Sequence, residues 1–190
     1  MWITTSKQAD THLKRAAQAL ADAWPDARFV RRGERGLERI EELAAREAQD
    51  TLLVLSSDGA RPSAASSPPF ILRSRQRKEG RWAWQHEEMA VQKMQGPRIA
   101  ERSAKAKQNK GENASPAEPE PFSITAHGAS AEEIARFFGM RDHPLARYYE
   151  EARKVEVETS ERKDRFSLTI DRESVLDIVF GWQALCEKKG

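Results

Sequence analysis

The sequence predicts an α/β protein made of two α/β halves, with both parallel and antiparallel strand pairing. Three observations carry that expectation. Residues 1–55 alternate short apolar or β-branched runs with longer segments of helical period. That strand–helix–strand–helix–strand order implies crossovers, and hence parallel strands. Further on, closely spaced runs read as antiparallel hairpins. Between the halves lies a stretch with Pro116, Pro119 and Pro121 among acidic and small residues, the composition of a mobile linker. On this reading residues 1–105 form the first half, 106–121 the linker and 122–190 the second half.

Trp2-Ile3-Thr4-Thr5 is the first strand and turns at Ser6-Lys7. The helix that follows ends near Trp24-Pro25 and puts Leu13, Ala16, Ala17, Leu20 and Trp24 on one stripe. Ser6 or Asp10 is placed to cap it; for Ser6 a cap is a better reading than a ligand contact. The Thr4–Lys7 turn belongs at the carboxyl edge of the sheet, where open α/β sheets bind ligands and free N–H groups accept anions. No glycine-rich loop stands there, which argues against a nucleotide phosphate cradle.

Arg28-Phe29-Val30 is a second short strand. Arg31-Arg32-Gly33-Glu34-Arg35-Gly36 then forms a loop. Its arginines suit a grip on phosphates; equally, they suit a charged loop partly neutralised by Glu34 and Glu38. The second helix covers about residues 36–48, with Leu37, Ile40, Leu43, Ala44 and Ala48 as its apolar positions. Thr51 to Leu55 is a third strand, apolar at four successive positions and therefore expected to be central and covered on both faces.

Phe70-Ile71-Leu72-Arg73 and Trp82-Ala83-Trp84 flank Lys78-Glu79-Gly80 as a hairpin. A two-residue Glu79-Gly80 turn sets Arg77 opposite Trp82 and Arg75 opposite Trp84. A three-residue turn instead groups both tryptophans with Phe70 and Leu72, and a one-residue slip exchanges the two outcomes. Grouping apolar side chains is the stronger constraint, so the three-residue turn with core tryptophans is expected. In either register Arg73, Arg75 and Arg77 share one face. Residues 87–95 fit an extended strand or a helix, and residues 98–110 read as a basic, frayed helix.

The second half opens with the strand Phe122-Ser123-Ile124-Thr125. Ser130-Ala131-Glu132-Glu133 has the form of a capping box. The helix behind it buries Ile134, Phe137 and Phe138 and stops at Gly139. Pro144 is suited to open another helix, with Leu145, Tyr148, Tyr149 and Ala152 inward. Residues 155–159 and 166–170 alternate as a half-exposed hairpin. Val175, Val179, Trp182 and Leu185 fit a helix by spacing.

Composition excludes several classes. Hydrophobic content is 38% and charged content 33% over 190 residues. No stretch approaches a membrane-spanning length, and the N-terminus lacks the pattern of a secretory signal. Cys186 is the single cysteine, which rules out an intrachain disulfide and fits a reducing cytosol. The histidines, His12, His86, His127 and His143, are scattered, so no metal site or other cofactor is expected. No nucleophile elbow or Walker loop is present, and the chain reads as a non-enzyme. Residues 73–110 carry eleven basic and four acidic side chains. A basic middle of this kind is the footprint of a nucleic-acid binder, or simply a solvated surface.

Residues 2–57 carry a family resemblance. Ile3-Thr4-Thr5-Ser6, Phe29-Val30-Arg31-Arg32-Gly33 and Asp50-Thr51-Leu52-Leu53-Val54-Leu55-Ser56 together resemble the Brix-domain family of ribosome-biogenesis proteins, above all its small single-domain archaeal members. The resemblance implies two similar halves, each like the anticodon-binding domain of class II aminoacyl-tRNA synthetases, and a strand near residues 176–180. Gly59-Ala60-Arg61-Pro62 stands where the family has a Gly-Asn-Pro loop, and Arg172-Glu173-Ser174 where it has a Gly-Pro.

The function so implied is that of a cytoplasmic, non-catalytic RNA-binding factor. It would act on ribosomal RNA or its precursor, with ribosomal or RNA-processing proteins as candidate further partners. Lys7, Arg31, Arg32, Arg35, Arg61, Arg73, Arg75 and Arg77 are the RNA-contact candidates. The alternatives are an adaptor in an RNA-processing complex and an anticodon-binding-type accessory domain of a tRNA enzyme.

Overall fold

Leu52 to Leu55 form the most completely buried run in the first half, and the fold grows outward from them. The computed structural model describes residues 1–24, 27–57, 70–95, 122–128, 130–139, 153–162 and 164–184. Strand β1 (Trp2–Thr5) pairs in parallel with both β2 (Arg28–Phe29) and β3 (Thr51–Ser56). The crossovers are helices α1 (Thr11–Ala23) and α2 (Leu37–Arg46). Asp10, rather than Ser6, caps α1: its Oδ1 accepts from the Leu13 N–H at 2.7 Å. Helix α1 covers one face of the sheet, where Ile3, Leu53 and Leu55 meet Leu13, Ala17 and Leu20. Helix α2 covers the other, where Trp2, Leu52 and Val54 meet Ile40 and Ala44.

Strands β4 (Phe70–Lys78) and β5 (Arg81–Gln95) continue the sheet in antiparallel fashion. Residues 87–95 are thus strand. The three-residue turn expected from the sequence is not formed. Glu79 and Gly80 make a two-residue turn with φ of 51° and 80°, the positive pair that a type I′ turn requires. Arg77 faces Trp82 and Arg75 faces Trp84. The apolar residues are grouped by a different device. The register shifts between Arg73 and Arg75, and beyond the irregularity Leu72 faces Met89 and Phe70 faces Val91. A bulge lets the hairpin tip and the hairpin base obey different registers.

The second half repeats the plan. Strand β6 (Phe122–His127) leads to helix α3 (Ala131–Phe137), and β7 (Arg153–Thr159) lies parallel to β6. Strands β8 (Arg165–Ile170) and β9 (Glu173–Ala184) follow as an antiparallel pair. Their hairpin too has a two-residue turn of positive φ, at Asp171 and Arg172. Residues 173–184 are therefore a strand, not the helix their spacing allows. Leu176, Ile178 and Phe180 alternate into the core, a period-two pattern in which the β-branched Ile178 and the aromatic Phe180 are of the types strands favour. The capping box is not closed either, since the Ser130 side chain makes no capping hydrogen bond.

Strands β5 and β9 pair antiparallel, so the described strands form one nine-stranded sheet of order β2-β1-β3-β4-β5-β9-β8-β7-β6. Helix α3 lies on the same face as α1 and closes one core across both halves. The Phe138 ring stacks on Trp24 with centroids 4.2 Å apart and meets Phe166 edge-on at 5.6 Å. Gln76 Nε2 donates to the Arg136 carbonyl at 2.5 Å. At Gly139 (φ +65°) a Cβ would run into Thr51, so the end of α3 needs glycine for both space and conformation. The expected basic helix over 98–110, the 106–121 linker, the helix opened by Pro144, the Gly59–Pro62 loop and Cys186 lie outside the described residues.

Phe138 is fully buried at this junction. Phe138→Ala is expected to cost about 3–5 kcal/mol in a denaturant titration, and the two halves are expected still to unfold in one transition. A loss below about 1 kcal/mol, outside the usual range for such a truncation, would show that the junction does not bear on stability.

Candidate nucleic-acid interface

The cationic candidates divide between two places. The first is a cleft of about 560 Å³ at the carboxyl edge of β1 and β2. Its walls are the turn after β1, the exposed side of α1 and the loop after β2; Lys7, Lys14, Arg15, Arg31 and Arg32 line it, with Glu34 the single acidic group. The fold holds the loop at its root: Val30 N–H donates to the Ile3 carbonyl at 2.8 Å, and Thr4 Oγ1 donates to the Val30 carbonyl at 2.8 Å. Within the loop, Arg35 N–H donates to the Arg32 carbonyl at 3.2 Å and Arg32 Nε donates to the Arg35 carbonyl at 3.0 Å. Lys7 and Glu34 form an exposed ion pair of 3.3 Å across the mouth. Exposed pairs of this kind contribute little to stability and part readily.

Lys7, Arg31 and Arg32 are thus brought together, as their candidacy requires. Arg35 sits on the adjoining side of the same loop. Lys14 and Arg15 were not singled out by sequence reasoning, because they are ordinary members of the polar face of α1. The available signal was their position, adjacent cations one turn into the helix that leaves the carboxyl edge.

The second place is the opposite face of the sheet. Arg73 and Arg75 face Val54 and Leu52, so the arginine row lies on the side covered by α2. It is not the freely solvated face its alternation suggests. Arg73 Nε donates to Glu88 Oε2 at 2.7 Å, and Glu88 is itself buried. The Arg75 side chain is only 18% exposed; its Nε lies 2.9 Å from Glu41 Oε1 on α2. That approach is an ion pair without hydrogen-bond alignment. The Arg75 guanidinium also lies over the Trp84 ring, 4.7 Å from its centroid, and donates to the Trp82 carbonyl at 3.2 Å. Cation and ring are interleaved, but here Arg75 ties the hairpin to α2 and Arg73 ties β4 to β5. Arg77 is half-buried in the same row. Arg61 lies outside the described residues.

Among the described residues no group of three or more His, Cys, Asp or Glu side chains is placed to hold a metal ion. No described helix is long and apolar enough to cross a membrane.

No family model matches the sequence, and no curated protein matches it. Solved structures do share its fold. The chain is similar to a probable ribosomal biogenesis protein from Aeropyrum pernix, with a TM-score of 0.63 at 18% identity over 95% of this chain and 94% of that one. It is also similar to Mil, an archaeal Imp4-like protein, with a TM-score of 0.53 at 12% identity over 97% of this chain and 99% of that one. The likeness runs almost end to end and, at these identities, is one of fold. It agrees with the resemblance carried by residues 2–57.

The Glu41–Arg75 contact gives the buried side of the hairpin a pH signature. Burial pushes the Glu41 carboxyl above its ordinary value of 4.5, Arg75 pulls it back down, and Glu38 adds a further push upward. A carboxyl whose pKa is raised by folding favours the fold in its protonated form. That contribution is whole below pH 4.5 and is lost as pH rises through the raised value. Glu41→Gln removes this titration. The stability of the wild type relative to Glu41→Gln, measured in urea, is therefore expected to fall as pH rises from about 4 toward neutrality. A difference that grows in favour of the wild type over that range would show that the Arg75 pair outweighs burial.

Proposed function

We propose that this chain is a ribosome-biogenesis factor that binds ribosomal RNA or its precursor, and that it acts by binding and not by turnover. The observation that carries this reading is the cleft between α1 and the 31–34 loop, lined by five cations and one carboxylate. It lies on a fold shared along nearly its whole length with a protein described as a probable ribosomal biogenesis protein. Lys14, Arg15 and Arg31 are exposed and have no ion pair among the described residues, so their charge is available to a ligand. Arginine adds a planar fork that grips phosphate through two N–H groups.

In this reading the cleft is the principal contact surface, with Lys7, Arg31, Arg32 and Arg35 supported by Lys14 and Arg15. Arg73, Arg75 and Arg77 form a secondary surface, weaker because two of the three already serve carboxylates of the fold. Arg61 is kept with the first group on its position in the sequence alone. The cytoplasm is the compartment that fits.

The test is the salt dependence of binding to a single-stranded ribosomal RNA fragment. Each phosphate neutralised on a single strand adds about 0.7 log units of affinity lost per log unit of salt. A variant with Lys14, Arg15 and Arg31 all changed to Gln is expected to keep its thermal stability, because these exposed side chains serve no core contact and no loop hydrogen bond. Its salt slope is expected to fall by roughly two units. An unchanged slope in a folded variant would remove the cleft from the RNA site, and absence of RNA binding by the wild type would overturn the function.

A further inference from the structure

The cleft holds one feature that phosphate binding does not need. Phe29, at the end of β2, lines it beside the cations. The residue is partly exposed, and it packs against the main core. A site for phosphate alone needs charge and N–H donors, and an apolar wall there only costs hydration. An aromatic side chain that lines a cationic cleft and is packed against the core suits an unstacked nucleobase, since every base presents a π face to stack on. The cleft volume of about 560 Å³ lies within the range of about 300–1,000 Å³ typical of small-molecule sites. It is set by a loop that hydrogen-bonds to itself and to the sheet, so little ordering is left to do on binding.

We infer that the cleft takes one splayed-out base of single-stranded RNA against Phe29, with the flanking phosphates on Lys14, Arg15 and Arg31. The inference rests on the RNA-binding reading above and narrows its ligand to an unpaired strand. A base inside a duplex has both faces occupied and cannot reach the ring. Specificity for a particular base is not required, because stacking tolerates all four. The exposed Lys7–Glu34 pair at the mouth would open for little cost as the strand enters.

The experiment compares three probes, a ten-nucleotide single-stranded RNA, the duplex of the same sequence and a free nucleoside monophosphate, on the full chain. Phe29→Leu keeps an apolar side chain against the core and removes the ring. It is expected to weaken single-strand binding roughly tenfold or more. The salt slope should stay as in the wild type, because no phosphate contact is lost. Phe29→Tyr is expected to restore the affinity. Duplex binding is expected to be weaker than single-strand binding in the wild type and unmoved by Phe29→Leu, and the monophosphate should bind weakly in competition with the single strand.

If Phe29→Leu leaves single-strand affinity unchanged while Lys14→Gln with Arg15→Gln still lowers the slope, the base site is wrong and the phosphate site stands. If neither change matters although the wild type binds RNA, the cleft is wrong and RNA binding lies elsewhere. Should Phe29→Leu fail to fold, 4-thiouridine photocrosslinking of the wild type decides. Crosslinks on the peptide containing Phe29 are expected, and crosslinks confined to other peptides overturn the proposal.

Discussion

The structure depends on an aromatic junction that neither half can complete alone. Trp24, at the end of the first helix, stacks on Phe138, just past the helix of the second half. Phe138 is in turn part of a closed set of edge-on rings running through Phe137, Trp182, Phe180 and Phe166. Rings offset or edge-on in this way add to the stabilisation their burial already gives. The junction joins the two α/β units in one hydrophobic core. The β5–β9 pairing supplies hydrogen bonds across the middle, but a sheet alone would leave the face under α1 and α3 open. Filling that face from both sides fixes α1, and α1 is one wall of the basic cleft.

The cleft follows from that scaffold with little further design. Parallel strands end together at one edge, the chain must leave each of them by a turn, and free backbone donors and loop side chains gather there. What is particular to this chain is the charge. Cations on the turn, the helix and the loop converge from three separate stretches of sequence. On the opposite face, similar arginines are drawn into ion pairs with Glu41 and Glu88 and serve the hairpin instead. The contrast turns on burial. A guanidinium lowered between helix and sheet needs a carboxylate partner, whereas one on an exposed loop does not.

Much of this was legible in the residues. The apolar stripe of α1, the fully buried third strand and the alternation of β7 and β8 each follow from side-chain period. What was not legible was set by non-local geometry. The register of the tryptophan hairpin depends on a bulge that no turn signal announces. Strand β9 shares its spacing with a helix, and only pairing with β5 and β8 decides between them. Ser130 carries the letters of a capping box without making the bond. In the site, the Arg31–Arg35 loop stood out by composition. Lys14, Arg15 and Phe29 did not, because a helix surface and a two-residue edge strand look ordinary until the fold sets them around one space.

Contact between this edge of the first half and ribosomal RNA is the proposal on which the functional reading stands. Crosslinking in the native cell, with the bound RNA sequenced and the crosslinked peptides identified, tests it most directly. Ribosomal RNA or its precursor is expected as the dominant RNA, attached to peptides from residues 7–35. Crosslinks to unrelated RNA, or crosslinks to ribosomal RNA found only on second-half peptides, would contradict it.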